Sequence, residues 1–361
     1  MFSFLQNNTL SRAELDSDGE VLNIHYGDVL IKFGSILDCN DKDIPHIASG
    51  HESQNYQYLQ NGDIIIADTA EDETVGKATE LVNVSGRKVE AGLHTIPCRP
   101  LSCFASMYLG YYMNTPHFHR QLIPLMQGIK VLSISKGNIA KTKICAPKSM
   151  LEQQKISYLL NVLDRRTAAQ RKVIEVLKKY KRGLLSVSFA DTASWRKKKL
   201  GDMCCIRTGK LDANAMVEGG KYPFFTCARE RYTIDSFAFD TDALLISGNG
   251  ANVGYIHHYT GKFNAYQRTY VLDQFSENIN YVHVFLDRFL SSRIDAEKKA
   301  GNTPYIVLST LSDMEIFLPD ETMMKNLVEM FAQIDKHIEN SNQILECFIS
   351  IRKGLLQQLF I

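Results

Sequence analysis

The run with the most suggestive spacing for chemistry is the glycine-rich segment at residues 248–254, Gly-Asn-Gly-Ala-Asn-Val-Gly. Glycine-rich loops that open a helix bind phosphate through backbone N–H groups. This run lacks the Gly-Lys-Ser/Thr ending that makes a nucleotide-binding loop specific, and no helix obviously follows it. We therefore predict a tight turn between strands, whose Asn side chains are still placed to contact a ligand.

Residues able to bind a metal ion show no diagnostic spacing. The eight cysteines include no Cys-x-x-Cys pair, and the adjacent pairs at 204–205 and 257–258 would point to opposite faces of a strand. The acids within 68–73 lack the spacing of a calcium loop, and no Ser/His/Asp or Cys/His constellation is visible. We expect no metal site, no catalytic residues, no cofactor bound by this chain, and reduced, mostly buried cysteines.

Two long helices are predicted because one segment of the chain is repeated. Residues 147–189 and 319–361 both start with proline and reach Gly-Leu-Leu near their ends, and an offset of 171 aligns their seams. The seam positions advance in alternating steps of four and three, which is typical of supercoiled helices. The seam residues are Ile156, Leu160, Leu163, Gln170, Ile174 and Leu177 in the first copy, and Leu327, Phe331, Ile334, Ser341, Leu345 and Phe348 in the second.

Helices with matching seams in one chain are expected to pack on each other. We predict an antiparallel coiled coil in which the polar seam residues Gln170 and Ser341 meet at the centre and set the register. The alternative is two ordinary amphipathic helices in separate cores.

The segments before the helices are also similar to each other, as Asn61–Ala67 and Asp240–Ser247 illustrate. Short β-branched and aromatic runs separated by Gly and Asn favour strand-rich domains. We predict an α+β chain with strand-rich domains at 1–146 and 190–318 and long helices at 147–189 and 319–361. Trp195–Asp202 has no counterpart before Phe2, so the first domain is expected to be shortened at its start.

Composition and charge limit the classes of partner. The chain has 361 residues, 45% hydrophobic and 22% charged, as in ordinary globular proteins. Its net charge of +1 creates no overall field for nucleic acid, although residues 165–199 contain twelve Lys/Arg and two acids. The start lacks signal-peptide features, and no apolar run reaches the roughly 20 residues of a membrane span. We expect a cytoplasmic protein with no membrane partner.

Both the helices and the strand-rich segments resemble the specificity (S) subunits of type I restriction–modification systems. In the helices the resemblance lies in Pro147–Leu185 and Arg352–Phe360. In the domains it lies in His25–Lys32, Gly62–Glu71, Trp195–Asp202, Tyr222–Phe224 and Asp242–Ile246. It covers essentially the whole chain, and the doubled arrangement is more specific than any one motif. The shortened first domain and a second helix start without a Glu-Gln pair depart from the pattern.

The resemblance implies a non-catalytic subunit that recognises double-stranded DNA. Each strand-rich domain would be a target-recognition domain that reads one half of a bipartite site. The helix pair would set the gap between the halves and dock two methyltransferase (modification) subunits, and a restriction/motor subunit would join them. S-adenosylmethionine, ATP and Mg are expected on those partner subunits.

Polar and basic residues in loops after the β runs are the candidates for contacting DNA. Arg pairs well with guanine, and Asn or Gln with adenine, in the major groove. The candidates are His51, Gln54, Asn55, Thr69, Lys77 and Arg87 in the first domain, and Thr226, Arg229, Arg231, Tyr232, Asn249, Asn252, His257, Gln267 and Arg268 in the second. For each of them the alternative is that the side chain caps a turn or is simply solvated.

Two other functions stay open from the sequence. A coiled-coil scaffold, or a silent or truncated specificity cassette, would bind protein partners without reading DNA, and the shortened first domain motivates this alternative. An enzyme acting alone has the weakest support, because no catalytic constellation is visible.

Overall fold

Short apolar runs bounded by turn residues form strands in two separate parts of the chain, as the β-branched and aromatic composition predicts. The computed structural model describes residues 2–54, 56–297 and 305–360. The chain divides into unit 1, residues 1–171 and 343–361, and unit 2, residues 172–342. The predicted α+β class, with two strand-rich parts and two long helices, is confirmed.

Among its described residues, unit 1 contains three small sheets and four short α-helices. Its strands are β1 (Phe2–Phe4), β2 (Leu15–Asp16), β3 (Val21–Ile24), β4 (Ile36–Asp38), β5 (His46–Ile47), β6 (Ile64–Ala67), β7 (Thr69–Ala70), β8 (Ala78–Val82), β9 (Lys88–Ala91), β10 (Thr95–Pro100) and β11 (Leu132–Ser133). The helices are α1 (Tyr26–Ile31), α2 (Tyr108–Tyr112), α3 (Pro116–Leu122) and α4 (Lys136–Ala140). The largest sheet has the order β1-β10-β6-β8-β4, and the others are β2-β5-β3-β9 and β11-β7. The all-apolar β6 is buried at the middle of the largest sheet.

The first long helix, α5 (Met150–Ser188), leads into unit 2. The strands there are β12 (Arg196–Lys199), β13 (Cys205–Thr208), β14 (Tyr222–Phe225), β15 (Tyr232–Ile234), β16 (Phe239–Ser247), β17 (Ile256–Ala265), β18 (Thr269–Asp273) and β19 (Glu315–Leu318). The helices are α6 (Ile279–Glu297), α7 (Leu308–Ser312) and the second long helix, α8 (Glu321–Gln358). Six strands form a sheet of order β13-β18-β16-β17-β14-β15, while β12 pairs with β19 alone.

The glycine-rich run at 248–254 connects β16 to β17, so the predicted turn between strands is confirmed. Gly250 and Gly254 have φ angles of +80° and +82°, a region that side chains with a Cβ rarely adopt. The turn is closed where the N–H of Ser247 donates to the carbonyl of Tyr255 at 2.9 Å and that of Gly254 donates to the carbonyl of Ser247 at 2.8 Å.

In unit 1, the start of α5 packs against the end of α8. Ile156 and Leu160 share a buried cluster with Leu356 and Phe360. Asp164, two turns further along α5, accepts a hydrogen bond from Arg352, which lies two turns earlier on α8. The residue numbers rise along one helix as they fall along the other, so these segments run antiparallel.

In unit 2, the end of α5 packs against the start of α8 in the same sense. Leu185 shares a buried cluster with Leu327 and Phe331. The Nζ atom of Lys181 lies 2.8 Å from Oδ1 of Asp335, one turn further along α8. An offset of 171 converts the Asp164–Arg352 pair of unit 1 into the Asp335–Lys181 pair of unit 2, so the repeat extends to its ion pairs.

The predicted seam residues lie on the less exposed faces of both helices. Leu160 and Phe331 are fully buried, and none of the predicted seam positions is among the exposed residues. The central pairing of Gln170 with Ser341 stays a prediction, because the two residues belong to different units.

The expectation of mostly buried cysteines is wrong. Cys205 is exposed because β13 is an edge strand, and Cys347 because it lies on an outer face of α8. All eight cysteines are free, and those exposed are Cys103, Cys145, Cys205 and Cys347. Within the described ranges, no helix has the length and apolarity needed to cross a bilayer.

Candidate nucleic-acid interface

Unit 2 brings several predicted DNA-binding residues together at one end of its large sheet. Arg229 and Arg231 lie in the connection between β14 and β15, and Asn252 lies in the glycine-rich turn. His257 lies on β17, immediately after that turn. We call Arg229, Arg231, Asn252, Tyr255 and His257 the arginine patch.

The two arginines of the patch are exposed but supported by aromatic rings. The guanidinium carbon of Arg229 lies 5.3 Å from the ring centre of Tyr255, and that of Arg231 lies 5.5 Å from the ring centre of Tyr259. The same carbon of Arg231 is 5.7 Å from the ring of Phe225. A guanidinium held against a ring keeps its N–H donors in the plane, which suits bidentate contacts to guanine or to phosphate.

Asn252 is engaged within the protein at both ends of its amide. Its Oδ1 accepts from Nε of Arg229 at 3.2 Å, and its Nδ2 donates to the carbonyl of Cys227 at 3.2 Å. These bonds fix the glycine-rich turn against the β14–β15 connection. In this conformation Asn252 orients Arg229 and has already used one donor and one acceptor.

The surroundings of His257 favour its neutral form. Burial lowers its pKa below the ordinary value, the nearby Arg231 lowers it further, and a hydrogen bond with the carbonyl of Ala228 opposes the shift in part. Its Nε2 lies 3.2 Å from that carbonyl oxygen. Because a carbonyl only accepts, Nε2 carries the proton, and Nδ1 is the acceptor of the ring.

The remaining candidates of unit 2 have local roles or lie outside the patch. The Oγ1 atom of Thr226 is buried and accepts from the N–H of Ala228 at 3.1 Å, so this residue shapes the turn. Tyr232 belongs to β15, and Asn249 forms a bridge with Tyr305. Gln267 and Arg268 are exposed between β17 and β18, and the carbonyl of Arg268 accepts from the N–H of Gly248 at the start of the glycine-rich turn.

The candidates of unit 1 lie on different elements and have separate partners. Lys77 donates to the carbonyl of Leu30 at 2.7 Å, and burial lowers its pKa, with Arg352 adding to the shift. Arg87 donates to Asn40, and Thr69 donates to Asp68. Nδ1 of His51 lies 3.6 Å from the carboxylate of Glu14 and Gln54 is exposed, while Asn55 lies outside the described residues.

The sequence reasoning missed Tyr255 of the patch and Tyr259, whose ring supports Arg231. Together with His257 they alternate along the chain, and in a strand such residues lie on one face. The rings of Tyr255 and His257 are 4.8 Å apart. The sequence therefore contained a usable pattern, since ring-bearing residues occupy every second position directly after the glycine-rich turn.

No metal-binding cluster accompanies the patch in the part of the chain that the structure describes. Among the described residues, no group of three or more His, Cys, Asp or Glu side chains is arranged to hold a metal ion. The chemistry that the patch offers is hydrogen bonding and cation–π stacking to a polyanionic, base-containing partner.

Comparisons with known proteins find similarity to type I specificity subunits. Residues 193–347 match the family model of the type I restriction modification DNA specificity domain. The EcoDI specificity subunit of Escherichia coli is 37% identical over 163 residues, which is 45% of this chain and 36% of that protein. A putative type I specificity subunit of Mycoplasma pneumoniae is 22% identical over 258 residues, 66% of this chain and 69% of that protein.

Solved structures show the same fold along nearly the whole chain. The S subunit of a type I restriction–modification system from M. genitalium superposes with a TM-score of 0.65 at 15% identity, covering 100% of this chain and 94% of that one. A chain from a study of complex assembly and conformational transition of the type I R-M system gives a TM-score of 0.52 at 16% identity, covering 94% and 90%.

The fold is thus that of an S subunit, with two strand-rich parts and two long helices. The chain is therefore similar to type I restriction–modification specificity subunits, with the family model matching residues 193–347. The matched proteins are specificity subunits, which agrees with the resemblance found in the sequence.

Proposed function

We propose that this chain is the non-catalytic DNA-recognition subunit of a type I restriction–modification complex. The observation that carries the proposal is the match of residues 193–347 to the DNA specificity domain, which includes all of the arginine patch. Each strand-rich domain would read one half of a bipartite duplex site. Methyl transfer and cleavage, with S-adenosylmethionine, ATP and Mg, would belong to partner subunits.

The arginine patch is our candidate for the base-reading surface of the second domain. Arg229 and Arg231 each have several N–H donors and an aromatic support, so they match the paired acceptors of guanine in the major groove. The neutral His257 adds an acceptor on Nδ1. A surface that combines fixed donors with an acceptor can distinguish base pairs, whereas lysines alone would contact phosphates without sequence preference.

The outer faces of the long helices are our candidates for docking the two methyltransferase subunits and the restriction/motor subunit. In unit 2, Val173, Val176, Tyr180 and Val187 of α5 are 46%, 65%, 57% and 74% exposed. Their spacing of three, four and seven residues forms a second apolar stripe, beside the seam that packs on α8. Exposed apolar stripes of this kind mark protein–protein contacts.

The proposal is tested by reconstituting the chain with its modification subunits and selecting bound duplexes from a random DNA library. We expect enrichment of a two-part motif, with affinity that falls steeply as salt rises. Arg231→Ala should lower affinity about 5- to 100-fold and relax the sequence preference at one position of one half-site. Arg196→Ala, an exposed arginine outside the patch, is the matched control and should leave the motif unchanged.

Loss or gain of a methylated motif in cells gives an independent readout. Removing the chain should abolish adenine methylation at the same two-part motif, as read by methylome sequencing. A complex that assembles but enriches no motif would instead identify the chain as a scaffold or silent cassette. Methyl transfer by the purified chain alone would contradict the non-catalytic role.

A further inference from the structure

The segment that precedes each long helix is a paired strand in unit 2, whereas the corresponding segment of unit 1 is extended chain without a partner strand among the described residues. In unit 2, β19 leads into α8 and pairs antiparallel with β12. In unit 1, residues 143–146 lead into α5 after α4, just as β19 follows α7, and an offset of 172 aligns Pro147 with Pro319. Among the described residues, no strand pairs with residues 143–146. We call residues 141–146 the unit 1 edge.

The backbone of the unit 1 edge is satisfied on one side only. The N–H of Lys143 donates to Oε1 of Gln121 at 2.8 Å, and the N–H of Cys145 donates to the hydroxyl of Tyr112 at 2.9 Å. Ile144 and Ala146 alternate to the opposite side, where no described residue hydrogen-bonds to their backbone groups. Unpaired N–H and C=O groups in a row are a template for an added strand.

The corresponding side in unit 2 is the one that binds β12. Its register pairs Lys198 with Ile316 and Arg196 with Leu318, the counterparts of Ile144 and Ala146. One step further along, the N–H of Leu200 donates to the carbonyl of Met314 at 2.9 Å. The open groups of the unit 1 edge are therefore those that a strand placed like β12 would use.

An aromatic cavity of about 580 Å³ lies beside the unit 1 edge. Tyr108, Ala146, Ile156 and Phe360 are among the residues that line it, and the ring of Phe360 is 5.5 Å from that of Tyr108.

In unit 2 the place that corresponds to this cavity contains the side chain of Trp195. The ring of Phe189, the counterpart of Phe360, contacts Trp195 edge to face at 5.7 Å. Phe189 also lies 6.3 Å from the ring of Tyr281, much as Phe360 lies beside the ring of Tyr108. Trp195 directly precedes β12, so unit 2 shows how a strand with an aromatic anchor fills this framework.

The charges that hold the strand in unit 2 are reversed in unit 1. Nζ of Lys197 lies 3.6 Å from Glu315, and Nζ of Lys199 lies 3.0 Å from Asp313. The counterparts of these two acids in unit 1 are the exposed Lys143 and Lys141. Opposite charges across a strand pair stabilise it and like charges destabilise it, so a basic strand is disfavoured at the unit 1 edge.

We propose that the unit 1 edge binds an extended segment of a partner protein that has an aromatic residue followed by acidic residues two and four positions later. The ring enters the cavity against Phe360. The segment pairs with Ile144 and Ala146 through its backbone, and its two carboxylates face Lys143 and Lys141. This inference does not depend on the proposed DNA reading, because the unit 1 edge contains none of the residues proposed to contact DNA.

Three synthetic peptides of 11 residues test the proposal, with binding to the full chain measured by fluorescence anisotropy. The first copies residues Ala193–Met203. The second has Lys197→Glu and Lys199→Glu, which places its acids on the face that would meet Lys143 and Lys141 of the chain. The third has Arg196→Glu and Lys198→Glu, so it has the same net charge as the second, with the acids on the other face.

We expect the second peptide to bind about tenfold more tightly than the first and clearly more tightly than the third. Trp195→Ala in the second peptide should remove most of its binding. In the chain, Lys143→Glu should abolish the preference for the second peptide over the first, because each then has one attractive and one repulsive pair, whereas Lys130→Glu, at another exposed lysine of unit 1, should leave the order unchanged. Equal affinities of the three peptides, no binding by any of them, or an order unaffected by Lys143→Glu would overturn the proposal.

Discussion

Replacing Lys181 with methionine should destabilise unit 2, because this lysine connects α5 to two other helices. Its Nζ lies 2.6 Å from Oδ2 of Asp287 on α6 and 2.8 Å from Oδ1 of Asp335 on α8. Burial alone would lower the pKa of Lys181, but these two carboxylates outweigh it and the net pKa is raised. Methionine keeps the apolar stem and removes only the charge and its hydrogen bonds.

The size of the effect follows from the exposure of each partner. The side chains of Lys181 and Asp287 are 16% and 27% exposed, so their bond is worth about 1.5–2 kcal/mol, as for hydrogen bonds to charged groups. Asp335 is 48% exposed, and its pair is worth roughly 0.2–1 kcal/mol. The total loss is about 2–3 kcal/mol. With a urea m-value near 2 kcal/mol/M, the midpoint should fall by about 1 M.

Trp195 provides the assay, because it is the only tryptophan of the chain and packs on Phe189 in unit 2. Urea unfolding at pH 7.5, followed by its fluorescence, should show the shift for Lys181→Met. Lys178→Met, at an exposed lysine one turn away on α5, is the matched control and should change stability by less than about 0.5 kcal/mol. If both variants behave alike, the assignment of Lys181 as a stabilising link between the helices is wrong.

The same variant has a defined pH dependence. A lysine whose folded pKa is raised stabilises the folded state fully below its unfolded pKa of about 10.4. The stabilisation is lost as pH rises through the higher folded pKa. The difference between the native chain and Lys181→Met should therefore be constant near neutrality and shrink in strong alkali, and a difference that grew with pH would contradict this account.

Three further outcomes are expected. Burial raises the pKa of Glu80 to about 7, against opposing backbone hydrogen bonds. Hydrogen exchange in β6 and β8 should therefore show unit 1 losing about 3 kcal/mol of stability from pH 4.5 to 7, a loss that Glu80→Gln should abolish. Phe331→Ala, at a fully buried seam position, should cost unit 2 about 3–5 kcal/mol by Trp195 fluorescence, whereas Met323→Ala on the exposed face of α8 should cost less than about 1 kcal/mol. Tyr255→Ala removes the ring beneath Arg229 and should weaken duplex binding by the reconstituted complex about two- to fivefold. An unchanged affinity would mean that the arginine patch does not contact DNA.

The sequence by itself determined the features that depend on local periodicity. The four-and-three spacing of apolar residues predicted both long helices, because a helix brings such positions onto one side whatever its surroundings. The 171-residue offset carries over to the ion pairs, since Asp164 and Arg352 in unit 1 repeat as Asp335 and Lys181 in unit 2. The glycine-rich run was predicted as a turn because it lacks a Gly-Lys-Ser/Thr ending and opens no obvious helix. In the structure, Gly250 and Gly254 have the positive φ angles that glycine adopts without strain.

Only the tertiary structure decided which candidates could act together. Arg229 is distant in the chain from Asn252 and His257, and it meets them because β14 and β17 are neighbours in one sheet. Lys77 and Arg87 had equally suitable side chains, yet the fold of unit 1 gives each a separate partner. Strand pairing joins distant segments, and nothing in the local spacing specifies those neighbours. The same holds for the unit 1 edge, whose open backbone groups become visible only beside the paired strand of unit 2.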